Sequence, residues 1–487
     1  MKSISKTKEL LNSKQISAVE LTQEYLKKAI ESTNNPFVTI TQDVALKQAA
    51  ESDKKIANGT AGKLEGIPCA IKDVFCTKDV LTTCSSKMLS NFIPPYESTV
   101  TDKLFAQGAI MIGKANMDEF AMGSMTTNSY YGASINPHRD ARFPEKTLTP
   151  GGSSGGSAVS VAEGSSIFAT GTDTGGSTRQ PAAFCGIVGV KPSYGTVSRY
   201  GMIAYASSLD QAGIFANNVE DSALLLDIIS GFDQKDSTSI PNSYRKFSSF
   251  GEKMKNGVKG LKIGVPKEYI IDGMHPDIIA AFENTKKHLE QMGVQIIQIS
   301  LPNAQLGIAT YYALTTAEAS SNLARFDGVK YGFSVRKDGD TLADIYANTR
   351  GECFGEEVKR RICLGNFVLS SGKYEEYYVQ AMKVRQMIKN DFDAAFTKCD
   401  AILSPITPNL AFAIDEKPTD PVVIYLNDIL AVGVNLAGLP GISVPVGLSQ
   451  NEKLPIGMQI IGNYLDDATM MQVAFAIEQV NNIYHHH

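Results

Sequence analysis

Histidine is scarce in this 487-residue chain: there are six, and three of them (His485, His486 and His487) are its last residues. His138, His275 and His288 are the others. His288 falls in Lys286-Lys287-His288-Leu289-Glu290 on a charged helical stretch, and His275 precedes a proline, so both are expected at the surface. Ser-His-Asp catalysis is thereby left with His138. Paired cysteines are missing too. The seven cysteines (69, 76, 84, 185, 353, 363 and 399) are odd in number and scattered, with no C-x-x-C pair, which argues against a disulfide framework and a thiolate zinc site. Buried, reduced thiols of a cytoplasmic enzyme are the expectation.

An excess of positive charge is absent as well. The net charge of −5 argues against a strongly basic nucleic-acid surface on this chain, without excluding a partner that carries one. No apolar run is long enough for a membrane span. The best stretch, Ile429 to Leu448, is broken by Asn435, Pro440, Pro445 and several glycines. The start, Met1-Lys2-Ser3-Ile4-Ser5-Lys6, is polar and has no secretory hydrophobic region. Neither G-x-x-x-x-G-K-[ST] nor G-x-G-x-x-G occurs, so no phosphate loop is indicated. The length alone suggests roughly three domains. No Pro/Gly/Ser linker or charge run divides the chain, however, and one large domain is expected.

What is present is hydroxyl chemistry on glycine turns. Gly151-Gly152-Ser153-Ser154-Gly155-Gly156-Ser157 and Gly171-Thr172-Asp173-Thr174-Gly175-Gly176-Ser177 place two serines 24 positions apart. Read alone, the first is also a flexible Gly/Ser linker. It is embedded between structured segments, though, and a second Gly-Gly-Ser follows the apolar run Ile167-Phe168-Ala169-Thr170. Upstream, Cys69-Ala70-Ile71 reads as a short buried strand that delivers Lys72 at its end, with Asp73 after it. Serine is a weak nucleophile until a base takes its proton, and a desolvated lysine can be that base. The combination points to acyl transfer on an amide.

Ser17-Ala18-Val19-Glu20 has capping-box spacing and opens a helix, and another covers about 43–56. A helix is expected over 157–162. The strand 261–266, helix 276–292 and strand 294–299 follow as a crossover unit, and 400–405 and 454–461 read as later strands of one sheet.

The segments GIPCAIKD, GGSSGGSA and GTDTGGSTRQPAAFCGIVGVKP resemble the amidase signature family. KPSYGTVSRYGMIAYASSLDQAG, EASSNLARFDGVKYG, EEVKRRICLGNF and NLAGLPGISVPVG are similar to one branch of it, the glutaminase subunits of tRNA-dependent amidotransferases. The resemblance implies a single large α/β domain over 1–480, a mixed central sheet covered by helices on both faces. The Lys-Ser-Ser core would lie in about 62–235 and a tail in 481–487. It also implies that Ser177 is the nucleophile, Ser153, after a cis peptide, the relay, and Lys72 the base. Backbone N–H groups of Thr174, Gly175, Gly176 and Ser177 form the oxyanion hole. Arg361 takes the α-carboxylate of L-glutamine, and Asp428 the α-ammonium. Tyr312 or the adjacent Tyr311 lines that pocket, with Gly123 and Ser124 as further members. No cofactor is expected on this chain. ATP and Mg²⁺ belong to the partner, the B subunit, which also holds most of the tRNA. A third and smaller partner, the C subunit, makes the assembly a heterotrimer. The product is Gln-tRNA(Gln), Asn-tRNA(Asn) or both. Stand-alone hydrolysis of an acyl, aryl or peptide amide is the alternative, and an inactive scaffold a third reading. The stretch Asn136 to Pro150, with Arg139, Arg142 and Glu145, is longer than the family usually has before GGSSGG, which bears on the pocket edge.

Overall fold

A computed structural model of the chain describes residues 3–416 and 426–481. The terminal histidines, and all of the expected tail except Asn481, lie outside the described residues. Among the described residues the first six strands are β1 (Phe37–Ile40), β2 (Pro68–Lys72), β3 (Ile110–Ala115), β4 (Phe168–Thr172), β5 (Val188–Lys191) and β6 (Ala212–Ala216). β7 (Lys262–Pro266), β8 (Gln295–Ile299), β9 (Ala401–Pro405), β10 (Gly441–Leu448) and β11 (Pro455–Gly462) follow. They form one sheet in the order β1-β3-β2-β4-β6-β5-β10-β11-β9-β7-β8. The sheet is mixed. β2 runs parallel to both β3 and β4, and β7 to both β8 and β9. The other neighbouring pairs are antiparallel. β2, β4, β5 and β6 are buried along their whole length, as strands covered on both sides must be.

Side chains alternate faces along a strand, and β11 shows what covers each face. A Cβ on Gly457 would meet Ala183 of the helix Arg179–Cys185; one on Gly462, five positions on, would meet Met470 of the helix Asp467–Asn481. Helices therefore lie on both faces. The fold is a single α/β domain with a mixed sheet, as expected.

The capping box at Ser17 is formed, with Glu20 Oε2 2.9 Å from Ser17 N, and it opens the helix Ala18–Glu31. The elements expected at 43–56, 157–162, 276–292 and 294–299 are observed as Gln42–Ala57, Gly155–Ala162, Pro276–Gln291 and Gln295–Ile299. The strands expected at 261–266, 400–405 and 454–461 are β7, β9 and β11. Two expectations need correcting. Cys363 is exposed on the helix Glu356–Val368, whereas the other six cysteines are buried. His275 and His288 are half-buried, because the helix that carries them packs against the sheet. His275 Nδ1 caps that helix by accepting from Asp277 N at 3.2 Å. No helix of the described residues is long and apolar enough to cross a membrane.

Candidate active site

The neighbouring parallel strands β2 and β4 end at the same edge, so Lys72 and Thr172 come side by side at their carboxyl ends, where open α/β sheets place ligands. Lys72 is fully buried. Its Nζ lies 2.9 Å from Ser153 Oγ, 2.7 Å from Ser154 Oγ and 2.7 Å from Thr172 Oγ1. Ser153 and Ser154 sit in the turn that starts the helix Gly155–Ala162, and the Gly152–Ser153 peptide is cis. Burial brings the Lys72 pKa down to about 7, with Asp118 and Asp173 as the main opposing charges. A neutral amine keeps two N–H donors and gains a lone pair. Ser154 Oγ donates to the Thr172 carbonyl at 3.1 Å, so toward Nζ it can only accept. One N–H and the lone pair are then shared between the hydroxyls of Ser153 and Thr172, and an N–H given to Thr172 turns the lone pair to Ser153, the arrangement in which Ser153 can hand Lys72 a proton.

This has a consequence for stability. The folded chain gives up the Lys72 proton near pH 7, whereas the unfolded chain holds it to about pH 10.4. Between those values the unfolded state binds more protons, so this group makes the fold more stable as pH rises. Lys72→Met is therefore expected to abolish activity yet raise thermal stability most at and below about pH 7, by up to ~4 kcal/mol less the lost hydroxyl contacts. The gain should fade toward about pH 10. Thermal unfolding of both proteins across that range checks it.

Ser177 lies in the turn after β4, half-exposed where Lys72 and Ser153 are buried. No hydrogen bond joins Ser177 Oγ to Ser153 Oγ among the described residues; such contacts often tighten only with substrate in place. The turn is held by Asp173, which accepts from Gly176 N at 2.8 Å, Thr178 N at 3.2 Å and Asn435 Nδ2 at 2.9 Å. Burial works against the Asp173 charge, but the Arg179 guanidinium, 3.0 Å away, keeps that carboxyl well below the usual range. Gly176 adopts φ +124°, which favours glycine, and a Cβ there would come 2.7 Å from Ala431 Cβ. Of the four amides assigned to an oxyanion hole, that of Gly176 is thus already used inside the turn. Those of Thr174, Gly175 and Ser177 have no partner among the described residues.

Asp118 and Gln180 brace the first serine turn, and motif reading overlooked both. Asp118 accepts from Thr126 N at 2.9 Å and Asn128 N at 3.1 Å, fixing the loop that carries Gly123 and Ser124. A Cβ on Gly152 would fall 2.2 Å from Asp118 Oδ2 and 2.7 Å from Met125 N, so only glycine fits beside Ser153. Gln180 accepts from Gly152 N at 2.9 Å and donates to Ser124 O at 3.2 Å.

Arg361 points inward from the helix Glu356–Val368 and is 3% exposed. It donates to Tyr205 Oη at 2.6 Å and Glu357 Oε1 at 2.8 Å, and its guanidinium lies over the rings of Tyr312 (5.2 Å) and Tyr205 (5.6 Å). Tyr312 and Tyr311 divide the pocket: Tyr312 stacks on Arg361, while a Cβ on Gly175 would be 2.6 Å from the Tyr311 ring. Asp428 is buried in the turn Leu426–Asp428. Burial pushes its carboxyl up to about 8, against the pull of Arg361. His138 is elsewhere, its Nε2 3.1 Å from the Cys185 carbonyl. The 136–150 stretch is pinned by Arg142, which contacts Asp140 at 2.8 Å and Glu452 at 2.9 Å. It lines a cavity of about 450 Å³ with His275, Phe412 and Asn427.

A buried lysine–serine site with a further serine on the next turn defines an amide-hydrolysing class. The Amidase family model matches residues 20–471, and the chain belongs to that family. It is 51% identical over 480 residues to the A subunit of the glutamyl-tRNA(Gln) amidotransferase of Coxiella burnetii, covering 98% of this chain and 97% of the relative. The same subunit from Heliobacterium modesticaldum is 51% identical over 474 residues, with 97% and 95% covered. The crystal structure of its Thermotoga maritima counterpart, 37% identical, superposes with a TM-score of 0.78 over 98% of this chain and 94% of that one.

Proposed function

We propose that this chain is the glutamine-hydrolysing subunit of a tRNA-dependent amidotransferase that converts Glu-tRNA(Gln) to Gln-tRNA(Gln). Ser177 Oγ attacks the γ-carboxamide carbon of L-glutamine while its proton passes to Ser153, and the Ser153 proton to Lys72 Nζ. The N–H groups of Thr174, Gly175 and Ser177 receive the oxyanion, a contribution of about 3–4 kcal/mol per well-placed donor. Collapse breaks the C–N bond; the departing amine takes its proton back through Ser153 and leaves as ammonia. Water then cleaves the γ-glutamyl ester and releases glutamate. Ammonia passes to a partner subunit that activates the tRNA-borne carboxylate with ATP and Mg²⁺, and a small third subunit holds the pair together. The acidic balance of this chain suits a subunit that leaves most tRNA contact to its partner. Asp-tRNA(Asn) is a second acceptor the same ammonia would serve.

The observation that carries the reading is the buried Arg361 and Asp428 beside the lysine–serine site. Arg361 is partly offset by Glu357 and Tyr205, the Asp428 carboxyl is pushed up to about 8, and a zwitterionic substrate head offers a carboxylate to the one and an ammonium to the other. An acyl, aryl or peptide amide without that head has no use for them. Arg361→Ala is expected to raise the glutamine KM by ~30–100-fold, the equivalent of losing a charge-assisted contact of about 2–3 kcal/mol. Steady-state kinetics with glutamine and with a simple aliphatic amide test it. Undiminished preference for glutamine in the variant would remove Arg361 from the pocket.

A further inference from the structure

We propose that Asp210 is a positioning residue that ties the arginine clamp to the oxyanion turn. The inference rests on the glutaminase reading above and adds to it a residue that touches neither substrate nor nucleophile.

Asp210 is buried, and its two oxygens serve different parts of the site. Oδ1 accepts from Thr174 Oγ1 at 2.7 Å, so it holds the residue whose main-chain N–H opens the oxyanion turn. Oδ2 accepts from Tyr205 N at 2.8 Å and Ala206 N at 2.9 Å. Tyr205 in turn takes the Arg361 N–H on its hydroxyl at 2.6 Å. One carboxylate therefore spans the two ends of a bound glutamine, the α-carboxylate at Arg361 and the γ-carboxamide at Thr174. The segment it organises is closed by Asp210 N donating to Ala206 O at 2.8 Å and Asp173 N donating to Gln211 O at 2.8 Å. It is also fastened to the helix that carries Tyr311 and Tyr312, because Asn322 Nδ2 donates to Tyr205 O at 3.1 Å. Arg361 at the amino-acid head and Thr174 at the oxyanion turn are thus each one hydrogen bond from the 205–211 segment. Burial raises the Asp210 carboxyl, and the donors from Thr174, Ala206 and Tyr205 pull the other way; turning Oδ2 into an amide nitrogen leaves two buried N–H groups short of an acceptor.

A residue that merely supports the fold would weaken every kinetic constant alike; a tie between two subsites splits them. The test uses the chain assembled with its partner subunits and measures glutamine hydrolysis. Tyr205→Phe is expected to raise KM by ~10-fold with kcat retained, and Thr174→Val to lower kcat by ~10-fold with KM retained. Thr174→Ser should restore kcat. Asp210→Asn should do both, raising KM little further in a Tyr205→Phe background and lowering kcat little further in a Thr174→Val background. Fully multiplicative losses in both backgrounds would overturn the proposal, as would an Asp210→Asn enzyme with unchanged constants. Where Asp210→Asn fails to fold, Asp210→Glu, which keeps the carboxylate but displaces both oxygens, decides: a raised KM together with a lowered kcat supports the tie, and a change in one constant alone overturns it. A parent complex that does not hydrolyse glutamine would instead refute the glutaminase reading, so the two failures are distinguishable.

Discussion

Ser177→Ala is expected to reduce glutamine hydrolysis by ~10⁴-fold or more, the loss typical of deleting the nucleophile from a serine triad. Ser177 is half-exposed and its hydroxyl has no partner among the described residues, so its removal should leave thermal stability nearly unchanged. Binding should survive as well, because Arg361 and Asp428 are untouched. The assembled complex then makes a second expectation specific. Ammonium chloride supplied in place of glutamine should still support amidation of the tRNA-borne carboxylate, since only the source of ammonia is lost. Loss of both activities would mean that the substitution acts on assembly.

Lys72→Ala is expected to cost about as much, ~10³–10⁵-fold in kcat, and to change its pH dependence. Only the neutral amine can accept a proton from Ser153. With a Lys72 pKa of about 7, kcat of the parent should rise with pH through that value and level off above it. The residual rate of the variant should lack that limb. The profile must be read in kcat. In kcat/KM the free enzyme also shows Asp428, whose carboxyl titrates near 8 in the empty pocket and must ionise to meet the substrate ammonium. Glutamine affinity is correspondingly expected to improve as pH approaches 8 from below.

The gathering of Lys72 and Ser153 in the candidate site was legible because its logic is local. A strand that ends in a lysine, and glycine turns that each present a serine, are patterns of consecutive residues. β2, β4 and the helix Gly155–Ala162 hold them where chain order suggested. The substrate half was legible only by resemblance: Arg361 and Asp428 sit on separate elements some two hundred residues downstream, and nothing in their neighbours marks them as buried. Tyr205 and Asp210 were hidden for a stronger reason. Their roles are set by hydrogen bonds to Arg361 and to Thr174, residues that the chain brings near only once the sheet is complete. The oxyanion turn shows the same limit. Four consecutive amides look equivalent in sequence, yet the Asp173 carboxylate engages that of Gly176 and leaves three.

Cleavage of glutamine through an ester on Ser177 is the step on which every other kinetic expectation depends. Mixing the assembled complex with L-glutamine, quenching in acid within the first turnover and mapping the peptides by mass spectrometry tests it directly. A base-labile γ-glutamyl adduct is expected on the peptide that contains Ser177, and none in Ser177→Ala. An adduct on Ser153 or another residue, or full-rate hydrolysis by Ser177→Ala, would contradict it.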